Sequence, residues 1–249
     1  MDPREKVAVV TGGGSGIGFA TAKLLASHGA HIVVADIDAR AAERAAAEIA
    51  ASGAHSHAVA VDVADAGQVR RMLDSATERF GRIDIVHNNA GITERGEDLF
   101  APDAHRWEAV LDIDLRAVIL GTQLAVQHLR HQGGGGVIVN TASMAGLVPT
   151  GASPVYAAAK AGVVHFTRTL AHLASEGIRV NAVCPTYTDT PMVQIAGPEA
   201  IEALKQAVGG ILQPEQVAEG VLELVRDDSR AGAVMRVTVR RGLDYAFQR

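Results

Sequence analysis

The chain of 249 residues has little cysteine, few aromatic residues and no excess of basic charge. Its one cysteine, Cys184, excludes an intramolecular disulfide and any zinc site built from several cysteines. A net charge of −5 disfavours broad electrostatic attraction to nucleic acid or to an anionic membrane. The first apolar run, residues 7–10, is too short for a signal peptide or a membrane span. These features predict a cytoplasmic protein with no nucleic-acid or membrane partner.

Apolar strand-like runs alternate with Ala- and Leu-rich helical segments along the whole chain. Strands are predicted at 7–10, 31–35, 56–61, 83–87, 136–141, 179–184 and 233–239, and helices at 16–28, 39–52, 66–80, 103–131, 154–176 and 213–226. Strands that are apolar almost throughout are typical of a parallel sheet with helices on both faces. The length allows one large domain or two small ones. Because no linker or repeat divides the chain, we predict one α/β domain over residues 1–249.

A glycine-rich turn at residues 11–18 joins the first predicted strand to the first predicted helix. Glycine at Gly12, Gly16 and Gly18 permits a tight turn and lets backbone N–H groups come close to a pyrophosphate. The helix that begins in this turn adds the partial positive charge of its N-terminus. The strand before it and the helix after it distinguish the motif from an ordinary glycine-rich turn. The turn therefore predicts a dinucleotide site that includes Ser15 and Ile17.

The second predicted strand leads into Asp36, 18 residues after Gly18. A carboxylate at this position can accept hydrogen bonds from both ribose hydroxyls of NAD. It would repel the additional phosphate of NADP, and no Arg or Lys in the preceding loop offsets that repulsion. The charge argument therefore predicts NAD as the cofactor.

Tyr156 and Lys160 are four residues apart in a predicted helix, so they share one face. A free tyrosine has a pKa near ~10, which makes it a poor base at neutral pH. The lysine cation, together with a positive nicotinamide, would favour the phenolate and lower the pKa of Tyr156. Ser143 follows the strand that ends at Thr141 and is placed to hydrogen-bond a substrate oxygen. The same spacing is common on ordinary helix surfaces, so it indicates an acid–base catalyst only in combination with the other motifs.

Six motifs follow one another along the chain: residues 11–18, 62–63, 88–91, Ser143, 156–160 and 179–185. In order and spacing they resemble the short-chain dehydrogenase/reductase family, over essentially the whole chain. The resemblance implies a Rossmann-type, doubly wound sheet of seven parallel strands with helices on both faces. It also implies a catalytic set of Ser143, Tyr156 and Lys160, and assembly as a homodimer or homotetramer.

The resemblance implies a role for each matching residue. Tyr156 would donate or accept the proton, Lys160 would lower its pKa and hold the nicotinamide ribose, and Ser143 would position the substrate carbonyl or hydroxyl. Asp62 and Val63 would contact the adenine. The cofactor positions implied in this way are Gly12, Ser15, Gly16, Ile17, Gly18, Asp36, Ile37, Asp62, Val63, Asn89, Ala90, Gly91, Tyr156, Lys160, Pro185, Thr188 and Thr190.

Two positions depart from the family pattern. The family usually has Asn where this chain has Asp114, and that residue takes part in a water-linked proton relay to the lysine, largely through its backbone carbonyl. Asp114 retains the carbonyl, so we assign it to the catalytic set, and we expect its negative charge to alter the pKa of the tyrosine. Thr186 follows Pro185 where the family usually has Gly, so a side chain must fit beside the nicotinamide.

Within the family, residues 145–149 and 231–245 resemble NAD-dependent hydroxyprostaglandin dehydrogenases. Those enzymes carry Gln three residues before the catalytic tyrosine, where this chain has Ser153, which we assign to the substrate site. Their segment over the substrate is longer than the one here, which we place at about 186–213. Within it we interpret residues 192–212 as a mobile lid, with a plain surface loop as the alternative. The likeness implies NAD and a hydrophobic alcohol substrate, without supporting prostaglandin itself.

The leading hypothesis is an NAD-dependent oxidoreductase that transfers hydride between nicotinamide and a hydrophobic secondary alcohol or ketone, with Tyr156 as the acid/base. One alternative is a non-catalytic cofactor-binding sensor or scaffold of the same fold, which Asp114 and Thr186 leave open. The other is an NADPH-dependent carbonyl reductase, against which Asp36 argues. His55 and His57 stand at strand spacing, but the sequence indicates no third ligand, so we predict no metal site.

Overall fold

Strands and helices alternate along the chain in the computed structural model, which describes residues 1–94, 98–151 and 153–247. The strands are β1 (Val7–Thr11), β2 (His31–Asp36), β3 (Ser56–Ala60), β4 (Ile85–Asn88), β5 (Gly136–Thr141), β6 (Ile178–Pro185), β7 (Val234–Thr238) and β8 (Gly242–Tyr245). The helices are α1 (Gly16–Ser27), α2 (Ala39–Ala51), α3 (Ala66–Phe80), α4 (Arg106–Leu111), α5 (Ala117–Gln132), α6 (Pro154–Thr169), α7 (Pro191–Gln194), α8 (Pro198–Val208) and α9 (Pro214–Arg226).

The eight strands form one sheet in the order β3-β2-β1-β4-β5-β6-β7-β8. The first seven strands along the chain pair in parallel. From β1 the order runs outward to β2 and β3 on one side and to β4, β5 and β6 on the other, which is the doubly wound arrangement. In such sheets the crevice at the carboxyl ends of the strands, where the order reverses, is the usual ligand site. The Rossmann-type α/β fold expected from the sequence is confirmed.

The prediction of seven strands was wrong, because the chain turns back after β7 and adds β8. β8 pairs antiparallel with β7, and a bidentate ion pair between Arg236 and Asp244 joins the two strands, with Nε 2.8 Å from Oδ1. Gly242, at a φ of +66°, lets the chain reverse tightly after 239–241. The hydrophobic alternation of so short a strand, directly after two arginines, is too brief to indicate a strand from the sequence alone.

Helices cover both faces of the sheet. On one face, Leu25 of α1, Ile49 of α2 and Val221 of α9 pack against the strands. On the other face, Leu73 of α3 and Leu129 of α5 do the same. This two-sided burial is the reason that the inner strands are apolar almost throughout. Of the helices in the described ranges, none is long and apolar enough to cross a membrane.

The helix expected at 103–131 is interrupted by a π-helical turn, Asp112–Arg116, between α4 and α5. A π turn inserts extra backbone into a helix and is frequent at functional sites. Here it buries the Asp114 side chain fully, while Asp112 and Arg116 of the same turn form an ion pair that is half exposed. The helix expected at 154–176 also ends early, at Thr169, and a 3-10 turn covers Ala171–Glu176.

Candidate active site

The glycine-rich turn lies at the carboxyl end of β1 and runs into α1, as predicted. Gly12 has a φ of +62° and Gly16 a φ of +52°, a backbone conformation that favours glycine. A methyl group at Gly18 would clash with the Gly12 carbonyl and the Asn89 amide. Ser15 is the N-cap residue of α1, and within the part of the chain that the structure describes its side chain makes no capping hydrogen bond. The N–H groups around Ile17 therefore point out of an open helix end, which suits a pyrophosphate.

Asp36 lies directly beside this turn, at the carboxyl end of β2. Its Oδ2 accepts a hydrogen bond from the Gly14 N–H at 2.9 Å, and its Oδ1 accepts one from the Asp38 N–H at 3.0 Å. A methyl group at Gly14 would lie 2.8 Å from Oδ2, so the carboxylate and the turn are in close contact. Ile37, which follows, is 73% exposed and free to cover a flat ligand. The structure therefore places the expected ribose carboxylate next to the expected phosphate site.

The ends of β3 and β4 complete this side of the crevice. Asp62 follows β3, and its Oδ1 accepts a hydrogen bond from the Ala64 N–H at 2.9 Å, which fixes the half-buried pair formed by Asp62 and Val63. After β4, the Thr11 Oγ1 accepts hydrogen bonds from the N–H groups of Asn89 (3.0 Å) and Ala90 (3.2 Å). The segment from Asn89 to Gly91 is thus tied to the strand that leads into the glycine-rich turn.

Tyr156, Lys160 and Ser143 come together at the ends of β5 and β6. The Lys160 Nζ lies 5.4 Å from the centre of the Tyr156 ring and donates a hydrogen bond to the Thr141 carbonyl at 2.9 Å. Ser143 lies next to Tyr156, where its hydroxyl lowers the pKa of the phenol, and its Oγ accepts a hydrogen bond from the Ala145 N–H at 3.1 Å. The predicted catalytic set is therefore assembled around a buried ammonium group.

Asp114 joins this group from the π-helical turn. Its Oδ1 lies 3.4 Å from the Lys160 Nζ and accepts a hydrogen bond from the Ile92 N–H at 3.1 Å. A methyl group at Gly91 would contact the same oxygen. The side chain is fully buried, and its Oδ2 has no hydrogen-bond partner among the described residues. Asp114 therefore contacts the lysine through its carboxylate, in addition to any role of its backbone carbonyl.

Burial has the largest effect on the pKa values of Tyr156 and Lys160, and neighbouring charges have the next largest. Burial raises the pKa of Tyr156 above its usual range, Lys160 and the Ser143 hydroxyl oppose the rise, and Asp114 adds to it. Burial works to lower the pKa of Lys160, but Asp114 and Tyr156 outweigh it and the pKa is raised. The expected effect of Lys160 on Tyr156 is present, but within the protein alone it does not overcome burial. The positive nicotinamide would act in the same direction as Lys160.

The segment after β6 lies against the glycine-rich turn. Thr186 is accommodated without breaking the sheet, since its N–H donates to the Val237 carbonyl at 3.0 Å. The Thr188 hydroxyl donates to the Thr186 carbonyl at 3.0 Å, directly beyond Pro185. The side chain of Thr190 lies against Gly16, where an added methyl group would come within 3.1 Å of it. Thr190 thus lies beside the glycine-rich turn, two residues beyond Thr188.

Two short helices, α7 and α8, lie within the expected substrate-covering segment at 186–213, and neither contains a buried residue. The segment is anchored at its far end, because the Leu212 N–H donates to the Tyr187 carbonyl and the Asp189 N–H donates to the Leu212 carbonyl, both at 2.8 Å. Ser153, the residue assigned to the substrate, is the N-cap of α6, three positions before Tyr156.

Sequence reasoning missed Glu94, which is 3% exposed and hydrogen-bonded to the N-terminus of α6. It also missed His87, a fully buried residue of β4 whose Nε2 lies 2.8 Å from the Thr141 Oγ1. In the sequence, Glu94 is recognisable only as an acidic residue three positions after the Asn-Asn-Ala-Gly motif. That position does not indicate which groups donate hydrogen bonds to it. His87 stands in an apolar strand, and the sequence does not show which polar side chain faces it.

The side chains of His55, His57 and Cys184 pack against or hydrogen-bond to neighbouring protein groups. The Nε2 of His57 lies 3.0 Å from the Ser75 Oγ, and the His55 ring packs against His31 with ring centres 5.1 Å apart. Cys184 is buried, as the sequence suggests, and burial raises the pKa of its thiol to about 12. Within the described residues, no group of three or more His, Cys, Asp or Glu side chains is arranged to hold a metal ion.

Comparisons with known proteins identify the family of the chain. The family model for short chain dehydrogenase matches residues 6–200. The 15-hydroxyprostaglandin dehydrogenase (NAD(+)) of Mus musculus is 35% identical, over 98% of this chain and 94% of that protein. The cis-4-hydroxycyclohexanecarboxylate dehydrogenase of Sinomonas cyclohexanicum is 42% identical, over 94% of this chain and 95% of that protein. A solved short-chain type dehydrogenase/reductase from Mycobacterium marinum has a TM-score of 0.88 at 32% identity, over 96% of this chain and 95% of that structure.

Proposed function

The chain belongs to the short-chain dehydrogenase family, and on that premise we propose that it is an NAD-dependent dehydrogenase for hydrophobic secondary alcohols, able to run in reverse on the ketones. The observation that carries the proposal is the position of the buried Lys160 ammonium, 5.4 Å from the centre of the Tyr156 ring, with Ser143 beside the same tyrosine. These three side chains supply a proton acceptor, a charge that stabilises it and a group that orients the substrate oxygen.

The residues that would hold NAD are the glycine-rich turn, Asp36 and Lys160. The clash that a methyl group would cause at Gly18 and the open N-terminus of α1 both fit a pyrophosphate that approaches the backbone closely. Asp36, in contact with Gly14, would accept hydrogen bonds from the ribose and repel a 2′-phosphate. Bound NAD+ supplies the acceptor for the hydride that leaves the carbinol carbon.

The proton would move through this chain's own residues. The Tyr156 phenolate accepts the proton of the substrate hydroxyl, and the Ser143 hydroxyl holds the substrate oxygen next to it. The Lys160 ammonium, held by the Thr141 carbonyl, stabilises the phenolate. The Asp114 carboxylate balances part of the charge of Lys160. A positioned acid–base group of this kind contributes roughly 10²–10⁴-fold to the rate.

The substrate would lie between Ser153, Ser143 and the segment at 186–213. Met192 and Ile195, at α7, are exposed apolar side chains that suit a lid over a hydrophobic ligand. Two relatives are named as dehydrogenases of hydroxyprostaglandin and of hydroxycyclohexanecarboxylate. Both names support a substrate that carries a secondary alcohol on a hydrocarbon framework.

The proposal includes a single domain over 1–249 that assembles as a homodimer or homotetramer in the cytoplasm. It rests on the family resemblance and on a lone, buried cysteine, which suits a reducing compartment. Sedimentation equilibrium at several protein concentrations tests the assembly, and a mass equal to that of the monomer would refute it.

Tyr156→Phe tests the proposed chemistry. A panel of secondary alcohols, beginning with cyclohexanol, is screened with NAD+ by the absorbance of NADH. We expect Tyr156→Phe to abolish turnover while NADH affinity stays close to that of the wild type, because only the proton acceptor is removed. Tyr245→Phe, on β8 at the edge of the sheet, serves as the control that keeps activity. Wild-type turnover in Tyr156→Phe would refute the assignment.

A further inference from the structure

Glu94 joins the segment after β4 to the helix that carries Tyr156. Its Oε1 accepts hydrogen bonds from the backbone N–H of Val155 at 2.7 Å and from that of Tyr156 at 3.0 Å. These residues are the second and third of α6, so one carboxylate oxygen satisfies two of the free donors at the helix N-terminus. A negative charge at this end also interacts favourably with the helix dipole.

This cap replaces the local one that the sequence of α6 suggests. Pro154, the first residue of the helix, has no N–H to satisfy. Ser153 occupies the N-cap position, where a serine side chain usually accepts from the second or third N–H. Among the described residues its side chain makes no such bond. Glu94, 61 residues before Val155, provides the acceptor instead, and Ser153 is left available to the substrate.

The Glu94 carboxylate lies at the N-terminal end of α6 and is enclosed by the protein. It is buried, and its Oε2 has no hydrogen-bond partner within the described ranges. Burial of a carboxylate with one oxygen unpaired is costly, so the two N–H groups of α6 are its main compensation. Its charge also reaches the active site, because burial raises the pKa of Asp114, Lys160 opposes the rise, and Glu94 adds to it.

We propose that Glu94 is a positioning residue, which holds the first turn of α6 so that the Tyr156 phenol meets Ser143 and Lys160. The inference rests on the proposed function, since it assigns Glu94 a part in the same reaction. Because one of its two hydrogen bonds ends on the backbone of Tyr156 itself, loss of the cap moves the phenol directly. A displacement of about 1 Å in a reacting group can lower the rate on the order of 10²-fold.

The test compares Glu94→Ala, Glu94→Gln and a control cap variant, Asp65→Ala, with cyclohexanol as the first alcohol of the panel. Glutamine keeps an oxygen that accepts both N–H groups, whereas alanine removes it. We expect Glu94→Ala to lower kcat by about 10- to 100-fold with an unchanged KM for NAD+, and Glu94→Gln to restore most of kcat. Asp65 caps α3 through the Gln68 N–H, on a helix other than the one that carries Tyr156, so its loss should leave kcat at saturating NAD+ unchanged.

Amide hydrogen exchange tests the cap without any turnover. In Glu94→Ala, the amides of Val155 and Tyr156 should exchange at least tenfold faster than in the wild type, and in Glu94→Gln they should stay protected. Unchanged exchange in Glu94→Ala would overturn the inference, and so would faster exchange with wild-type kcat. If the wild type oxidised no alcohol of the panel, the proposed function would fail, while the exchange rates would still decide whether Glu94 holds Tyr156.

Discussion

The Asp114 carboxylate lies 3.4 Å from the Lys160 ammonium, and both side chains are almost completely buried. A pair of opposite charges inside the protein interacts far more strongly than the same pair at the surface. The lysine that is expected to favour the Tyr156 phenolate is therefore partly neutralised by a carboxylate, where the family usually has an amide. The Asp114 carboxylate therefore raises the pKa of Tyr156 through its charge, which an amide at the same position would not do.

Asp114→Asn should shift the pH dependence of alcohol oxidation to lower pH. The charge of Asp114 adds to the rise in the pKa of Tyr156, so its removal lets the phenolate form at lower pH. Asparagine retains an oxygen for the Ile92 N–H, so the fold should be preserved. The measurement is kcat/KM for the alcohol from pH 5 to pH 10. Asp112→Asn, on the same π turn but half exposed, is the matched control with an unchanged profile.

An Asp114→Asn profile that coincided with that of the wild type would mean that Asp114 is uncharged during catalysis. A profile shifted to higher pH would contradict the electrostatic account of the site altogether.

His87 should make the fold sensitive to acid. Burial lowers the pKa of His87 to about 3, whereas the unfolded chain binds the proton near ~6.5. Between these values the unfolded state holds more protons, so stability falls as the pH drops below ~6.5. Because of this difference in proton binding, the free energy of unfolding should be about 2 kcal/mol lower at pH 5 than at pH 7. Urea denaturation of wild type and His87→Gln at both pH values should show this difference in the wild type alone.

Glutamine can keep a hydrogen bond to the Thr141 hydroxyl, so His87→Gln removes the titration rather than the contact. Equal losses of stability in the two proteins would show that His87 is not the residue responsible.

Gly18→Ala should disrupt the cofactor site from within. The added methyl group meets the Gly12 carbonyl and the Asn89 amide, two groups that hold the glycine-rich turn in place. Overpacking of this kind costs roughly 1–3 kcal/mol of stability. If the turn is distorted by a comparable free energy, NADH should bind about tenfold more weakly or worse. Gly67→Ala, in α3, contacts only the flexible side chains of Asp65 and Arg71 and serves as the control. Fluorescence titration with NADH checks both, and wild-type affinity in Gly18→Ala would contradict the placement of the pyrophosphate.

Much of the site follows from residues that are close in sequence or that end neighbouring strands. The glycine-rich turn, Asp36 and the Tyr156–Lys160 spacing are local patterns, and the order of the strands brings them to one edge of the sheet. For that reason the fold and the meeting of Ser143, Tyr156 and Lys160 were predictable.

What the sequence did not indicate depends on contacts between distant segments. Glu94 reaches a helix that begins 60 residues later, and His87 faces a threonine on another strand 54 residues away. The π turn that buries Asp114 cannot be distinguished from an α-helix in the sequence, because one inserted residue hardly changes the helical pattern of apolar residues. The net rise in the pKa of Tyr156 also depends on burial, which residue spacing does not measure.

The measurement that tests the central claim most directly is a pair of fluorescence titrations of the purified protein, with NADH and with NADPH. The account predicts at least tenfold tighter binding of NADH, because Asp36, in contact with the Gly14 N–H, would repel a 2′-phosphate. Asp36→Ala should reduce this preference. Tighter binding of NADPH would contradict the role of Asp36 and point to carbonyl reduction, and binding of neither cofactor would contradict the assignment of the site as a whole.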